Sequence, residues 1–140
     1  MADGGFVSMA DTLEVRVDGD LIRIRNQRYL TLRDLNVVVG IYNRVHAEHG
    51  PFFVVYDVTQ SQGVERAARN ALASSSNLPG PNPTVTAIFG ASFAVRTVAN
   101  MIERARVGLG QEPTGMRFFQ TEAQALAHID EQRRRVEAKH

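Results

Sequence analysis

The feature that most constrains this chain is the run Phe52-Phe53-Val54-Val55-Tyr56, which follows Gly50-Pro51 and is stopped by Asp57. The run has no polar alternation. A strand wetted on one side needs a polar residue at every second position, so this one reads as a strand buried on both faces. Such strands belong to largely parallel sheets packed between helices. A second run of the same kind is Val85-Thr86-Ala87-Ile88-Phe89, and Met116-Arg117-Phe118-Phe119 is a short third.

Upstream the pattern changes to period two. Leu13, Val15 and Val17 alternate with Glu14 and Arg16, and Ile22 and Ile24 alternate with Arg23 and Arg25. Asp18-Gly19 between them is a two-residue hairpin signal. With that turn Val17 faces Asp20, Val15 faces Ile22 and Leu13 faces Ile24, so the apolar residues share one face.

Helical spacing fills the intervals. Thr31 with Asp34 three residues on opens a helix carrying Leu32, Leu35, Val38, Val39, Tyr42 and Val45, and Gly50-Pro51 ends it. After Gly63 come Val64, Ala67, Ala68, Ala71 and Leu72, whose small side chains imply close packing on the sheet. Serines 74–76 and the Pro/Gly-rich stretch 79–83 form a loop. Ser92 caps a third helix with Val95, Val98, Ala99, Ile102 and Ala105, released by Gly108 and Gly110. Thr121 and Gln124 make a capping box for a last helix bearing Ala125, Leu126 and Ile129. The order β-β-α-β-α-β-α-β-α predicts an α/β fold. It has a mixed five-stranded sheet, with the first strand antiparallel and the rest parallel, and about four helices. Residues 12–138 read as one domain and residues 1–11 as a loose tail.

Composition narrows the function. Sixteen basic residues against 15 acidic ones leave a net charge of +1, so nothing favours nucleic acid or a strongly acidic partner. The chain has no Cys, which excludes disulfides, thiolate nucleophiles and Cys-based zinc sites. It shows no apolar run of membrane-span length and no signal peptide, so the expected location is the cytoplasm.

Individual residues offer little catalytic chemistry. Asp57 at a strand end could be a phospho-acceptor, but an acidic pair after the first strand and a Lys after the last are missing, and bracing the next turn is the plainer role. His46, Glu48 and His49 lie at one helix end without a further ligand cluster. Gly90-Ala91-Ser92 leads from strand to helix with Arg96 one turn in, an anion-binding geometry without the spacing of a nucleotide loop. Asp57, Arg66, Arg69 and Arg96 are the titratable groups expected near this edge. They form no nucleophile–base–acid set, so the chain is expected not to be an enzyme and to need no cofactor or metal.

Three passages together resemble the STAS family, the SpoIIAA-like anti-sigma-factor antagonists. Asp57-Val58 leading to Ser61-Gln62-Gly63-Val64 is similar to the family's strand–loop–DSxG–helix passage. Ser92-Phe93-Ala94-Val95-Arg96 resembles its S-P-x-V-[KR] helix opening. Arg117-Phe118-Phe119-Gln120-Thr121-Glu122, then Gln124-Ala125-Leu126, resembles its last strand and capped helix. The likeness spans residues 13–129. Gln60, Gln62 and Phe93 depart from the family pattern, and the stretch 57–63 is shorter. The resemblance implies a non-catalytic module that docks another protein, a kinase-like or anti-sigma-like partner or a further copy of itself. It also implies that Ser61 is the phosphorylated switch. The expected interaction surface is the carboxyl edge of the sheet, with Asp57, Thr59, Gln60, Ser61, Gln62, Gly63, Gly90, Ser92 and Arg96. The alternative is a small-ligand or lipid-binding module of the Sec14-like type, which requires an apolar pocket of several hundred Å³.

Overall fold

A computed structural model describes residues 6–10, 12–73, 81–110 and 115–139. The hairpin alternation produces β2 (Leu13–Asp18) and the start of β3 (Leu21–Leu30), antiparallel, with Val17 opposite Ile22 and Val15 opposite Ile24. The turn residues are therefore Gly19-Asp20 rather than Asp18-Gly19. Gly19, at φ 62°, takes the left-handed position that a tight hairpin turn needs. The change of register is two residues, an even number, so Leu13, Val15, Ile22 and Ile24 still share the buried face.

The sheet has six strands among the described residues, not five. The added strand is β1 (Val7–Ala10), inside the segment expected to be a loose tail, and it pairs antiparallel with β2. Its alternation is too short to stand out in sequence, but it covers an edge of β2 that would otherwise be unpaired. The Arg25 guanidinium lies 4.1 Å over the Phe6 ring just ahead of it.

The parallel part comprises β3, β4 (Phe53–Val64), β5 (Val85–Phe89) and β6 (Met116–Phe119). The strand order is sequential, β1 to β6. Right-handed crossovers between successive neighbours place every connecting helix on the same side. Accordingly α1 (Leu32–His49), α2 (Arg66–Ala73) and α3 (Phe93–Gly108) share one face. The core beneath them includes Ile22, Ile24, Val54, Val58 and Ile88, with Val38, Ile41, Val45 and Val95 from the helices. Among the described residues only α4 (Glu122–Lys139) covers the opposite face, seating Ala125 and Ile129 on Phe53, Val55, Val85 and Ala87. From the start of α4 outward that face carries ion pairs, among them Arg23 with Asp18 and with Glu122 of α4, and Arg25 with Glu14. The Arg133–Arg135 run is not uniformly solvated: Arg133 donates to both oxygens of Asp20, at 2.7 and 3.2 Å, and lies over the Phe53 ring.

Candidate functional site

Asp57 does not end its strand. β4 continues seven residues further, to Val64, pairing with β3 alone once β5 has ended opposite Asp57 at Phe89. Residues 57–63 are therefore strand, not the loop expected, and Ser61-Gln62-Gly63 lies before Arg66, the first residue of α2, rather than at its start. The polar composition of this stretch follows from its position. It has left the layer between the helices and is wetted on its flanks. Two irregularities in the β3–β4 register, between Arg25 and Gln27 and between Arg28 and Tyr29, accommodate two extra β4 residues as bulges. Arg28, at φ 62°, lies at the second.

Asp57 braces the first bulge. One carboxylate oxygen accepts from the Thr59 backbone N–H (3.0 Å) and from Thr59 Oγ1 (2.7 Å), and the other lies 3.8 Å from Arg25 Nε. The Thr59 methyl in turn sits where a Cβ on Gly90 would lie, and Gly90 has φ 77°. Asp57, Thr59 and Gly90 are thus brought together. Ser92 follows as the N-cap of α3, its Oγ accepting from Val95 N–H at 3.2 Å, with Arg96 exposed on that helix and Phe93 81% exposed beside it. Gln60, Ser61, Gln62 and Gly63 stand apart on the β3–β4 ribbon, where Ser61 Oγ accepts from the Gly63 N–H at 3.3 Å. At α4, Thr121 and Gln124 form the expected capping box. His46 Nδ1 lies 3.0 Å from the Gly50 carbonyl, and its ring packs against Phe52. No group of three potential metal-ligating side chains occurs among the described residues.

A more enclosed, mostly apolar concavity lies elsewhere, between the sheet and the three-helix layer, with a volume of about 480 Å³. Its floor is the helix-facing row of the parallel strands: Asn26, Tyr56, Val58, Thr86, Ile88 and Phe118. Leu35, Val38 and Tyr42 of α1 form one wall, and Val95, Ala99 and Ile102 of α3 the other. The space exists because α2 is short and built on alanines. Ala68 and Ala71 pack tightly on Leu30 and Leu35, as their size implies, but eight residues do not fill the gap between α1 and α3. The close packing expected of the small side chains therefore holds directly under α2, and the cleft opens beside it. Ser61 and Gly63 reach the same cleft from the ribbon.

Polar groups in the cleft are few. Asn26, 2% exposed, donates from Nδ2 to the Thr12 carbonyl, and Arg106, 7% exposed, donates from Nη1 to the Leu72 carbonyl. The Tyr42 and Tyr56 hydroxyls are buried, which pushes both above the ordinary tyrosine range. Tyr42 and Asp34 add to the effect at Tyr56. Sequence reading took Tyr42, Val95, Ala99 and Ile102 as plain core positions. Helical spacing identifies the inward face but not whether opposing faces meet.

No family model matches the sequence, and no curated protein matches it. Solved structures do. The anti-sigma factor antagonist SpoIIAA in its unphosphorylated form is similar with a TM-score of 0.53 and 13% identity, over 84% of this chain and 97% of that one. An uncharacterized DUF3478-family protein from Shewanella loihica PV-4, with a SpoIIAA-like fold, is similar with a TM-score of 0.48 and 17% identity, over 86% and 97%. The fold is SpoIIAA-like. No helix among the described residues is long and apolar enough to cross a membrane.

Proposed function

We propose that this chain is a non-catalytic binding module that takes a small, mostly apolar ligand into the cleft between α1, α3 and the sheet. The observation that carries this reading is the cleft itself. Its volume of about 480 Å³ falls within the roughly 300–1,000 Å³ typical of small-molecule sites, and its lining has the usual apolar body with a few convergent polar groups. The test is binding of the neutral dye N-phenyl-1-naphthylamine, whose fluorescence rises in apolar surroundings. The parent protein binds it saturably, and Ala99→Trp, which fills the cleft from the α3 wall, abolishes binding without lowering the melting temperature by more than a few degrees. Equal binding by the two proteins defeats the reading.

A second reading is docking of a kinase-like or anti-sigma-like protein through the carboxyl edge, with Ser61 as its switch. Two observations favour it: the likeness to SpoIIAA, an anti-sigma factor antagonist, and the exposed Phe93 beside Ser92 and Arg96 on that edge. A large exposed aromatic ring beside an arginine is a common anchor in protein interfaces. A partner recovered by pull-down and then purified provides the measurement. Phe93→Ser and Ser61→Asp each weaken its binding at least tenfold, whereas Ser61→Ala does not. Parent-like binding by both of the first two variants removes this reading.

A further inference from the structure

The Tyr56 hydroxyl is buried in the cleft lining, with no hydrogen-bond partner among the described residues. Buried tyrosine hydroxyls ordinarily find one, and leaving such a group unmet costs stability. We propose that the cleft binds an uncharged amphiphile, an apolar chain ending in one neutral acceptor such as a ketone or ester carbonyl, and that Tyr56 donates the hydrogen bond that seats it. This rests on the ligand reading above and adds the chemical class of the ligand.

Several observations converge on a neutral acceptor. Tyr56 is central in the floor, between Ile24 on β3 and Ile88 on β5, so a group meeting it must sit deep in the cleft. Burial, reinforced by Tyr42 and Asp34, raises its hydroxyl above the ordinary range, so near neutral pH it is protonated and a donor. Asp34 is 1% exposed and fixed, its Oδ2 accepting from Thr12 Oγ1 at 2.8 Å and the Thr31 N–H at 2.9 Å. An anionic head at Tyr56 would meet that carboxylate in a low dielectric, where like charges repel strongly. A cationic ammonium head carries no acceptor, so it would leave the Tyr56 O–H donor unmet. Arg106 lines the same cleft and defines the rival arrangement, an acid with its carboxylate at the guanidinium.

The experiment compares 2-undecanone, decanoate and decylamine as competitors of N-phenyl-1-naphthylamine, in the parent and in Tyr56→Phe. The ketone competes best in the parent. Tyr56→Phe weakens it by roughly 2- to 12-fold relative to the dye's own affinity in the same variant, the worth of one neutral hydrogen bond. The ligand-free variant also melts a few degrees higher, because an unmet hydroxyl has gone; this keeps the test independent of competitor solubility. Decanoate binding best in both proteins, or ketone binding indifferent to Tyr56→Phe, overturns the proposal while leaving the cleft a ligand site. Absence of dye binding in the parent overturns both.

Discussion

Gly90, Tyr42 and Tyr56 carry constraints that their identities alone do not reveal. Gly90 combines φ 77° with the Thr59 side chain pressed against the place of its missing Cβ. Gly90→Ala therefore meets both the left-handed penalty and a clash, and should destabilise by about 2–4 kcal/mol in urea denaturation. Adding Thr59→Ala removes the methyl from that place, so the double variant loses less than the sum of the two single changes, although Thr59→Ala itself gives up the bond to Asp57. Full additivity of the two changes would show that Thr59 is not the obstacle. Tyr42 and Tyr56 give the second prediction. Their hydroxyls titrate above the unfolded value near 10, so the native state keeps protons that the unfolded chain releases. Their contribution is fully present below about pH 10 and is lost as pH rises from there through the raised values. Melting temperature should thus fall steeply above about pH 10, and less steeply in the Tyr42→Phe/Tyr56→Phe double variant. Parallel pH profiles would contradict the burial.

At the scale of elements, ends matter more than middles. The reciprocal box at α1, with Thr31 Oγ1 accepting from Asp34 N–H at 3.0 Å and Asp34 Oδ2 accepting from Thr31 N–H, also engages Thr12 next to β2. Thr31→Ala should cost about 1 kcal/mol as an isolated cap does. Asp34→Ala should cost more, about 2–3 kcal/mol, because the half-buried Thr31 N–H loses its acceptor and Thr12 Oγ1 keeps only the Tyr29 carbonyl. Chemical denaturation of the two variants measures the ranking, and a smaller loss for Asp34→Ala would contradict it. The β3–β4 ribbon shows the opposite case. Asp57, Gln60, Ser61 and Gln62 offer little strand preference, and the polar run they make with Thr59 reads as a loop. Pairing with β3 overrides that preference and places the two extra residues in bulges.

For the whole molecule, the asymmetry of the two faces is decisive. Three helices on one side leave a cleft where they do not meet. The other side depends on one helix held at its far end by Arg133 on Asp20. Both partners are about 30% exposed, so Arg133→Met should cost only about 0.5–1 kcal/mol. The loss should shrink between 0.1 and 1 M salt, as seen in melting curves. A salt-independent loss would place the contribution in packing over Phe53 instead.

The sequence by itself determined the elements, because each is written in a local code. Two-sided burial marks Phe53 to Tyr56 and β5, period two marks the hairpin, and capping boxes mark α1 and α4. It also determined the SpoIIAA-like order of strands and helices. Tertiary structure alone decided three things. It recruited β1, because an edge strand needs a partner whatever its own weak pattern. It carried β4 past Asp57, because β3 was there to pair with it. It opened the cleft at Tyr56, because the distance between α1 and α3 depends on how far the short α2 can bridge them. Periodicity says which way a side chain points; whether another side chain meets it there depends on elements far away in the chain.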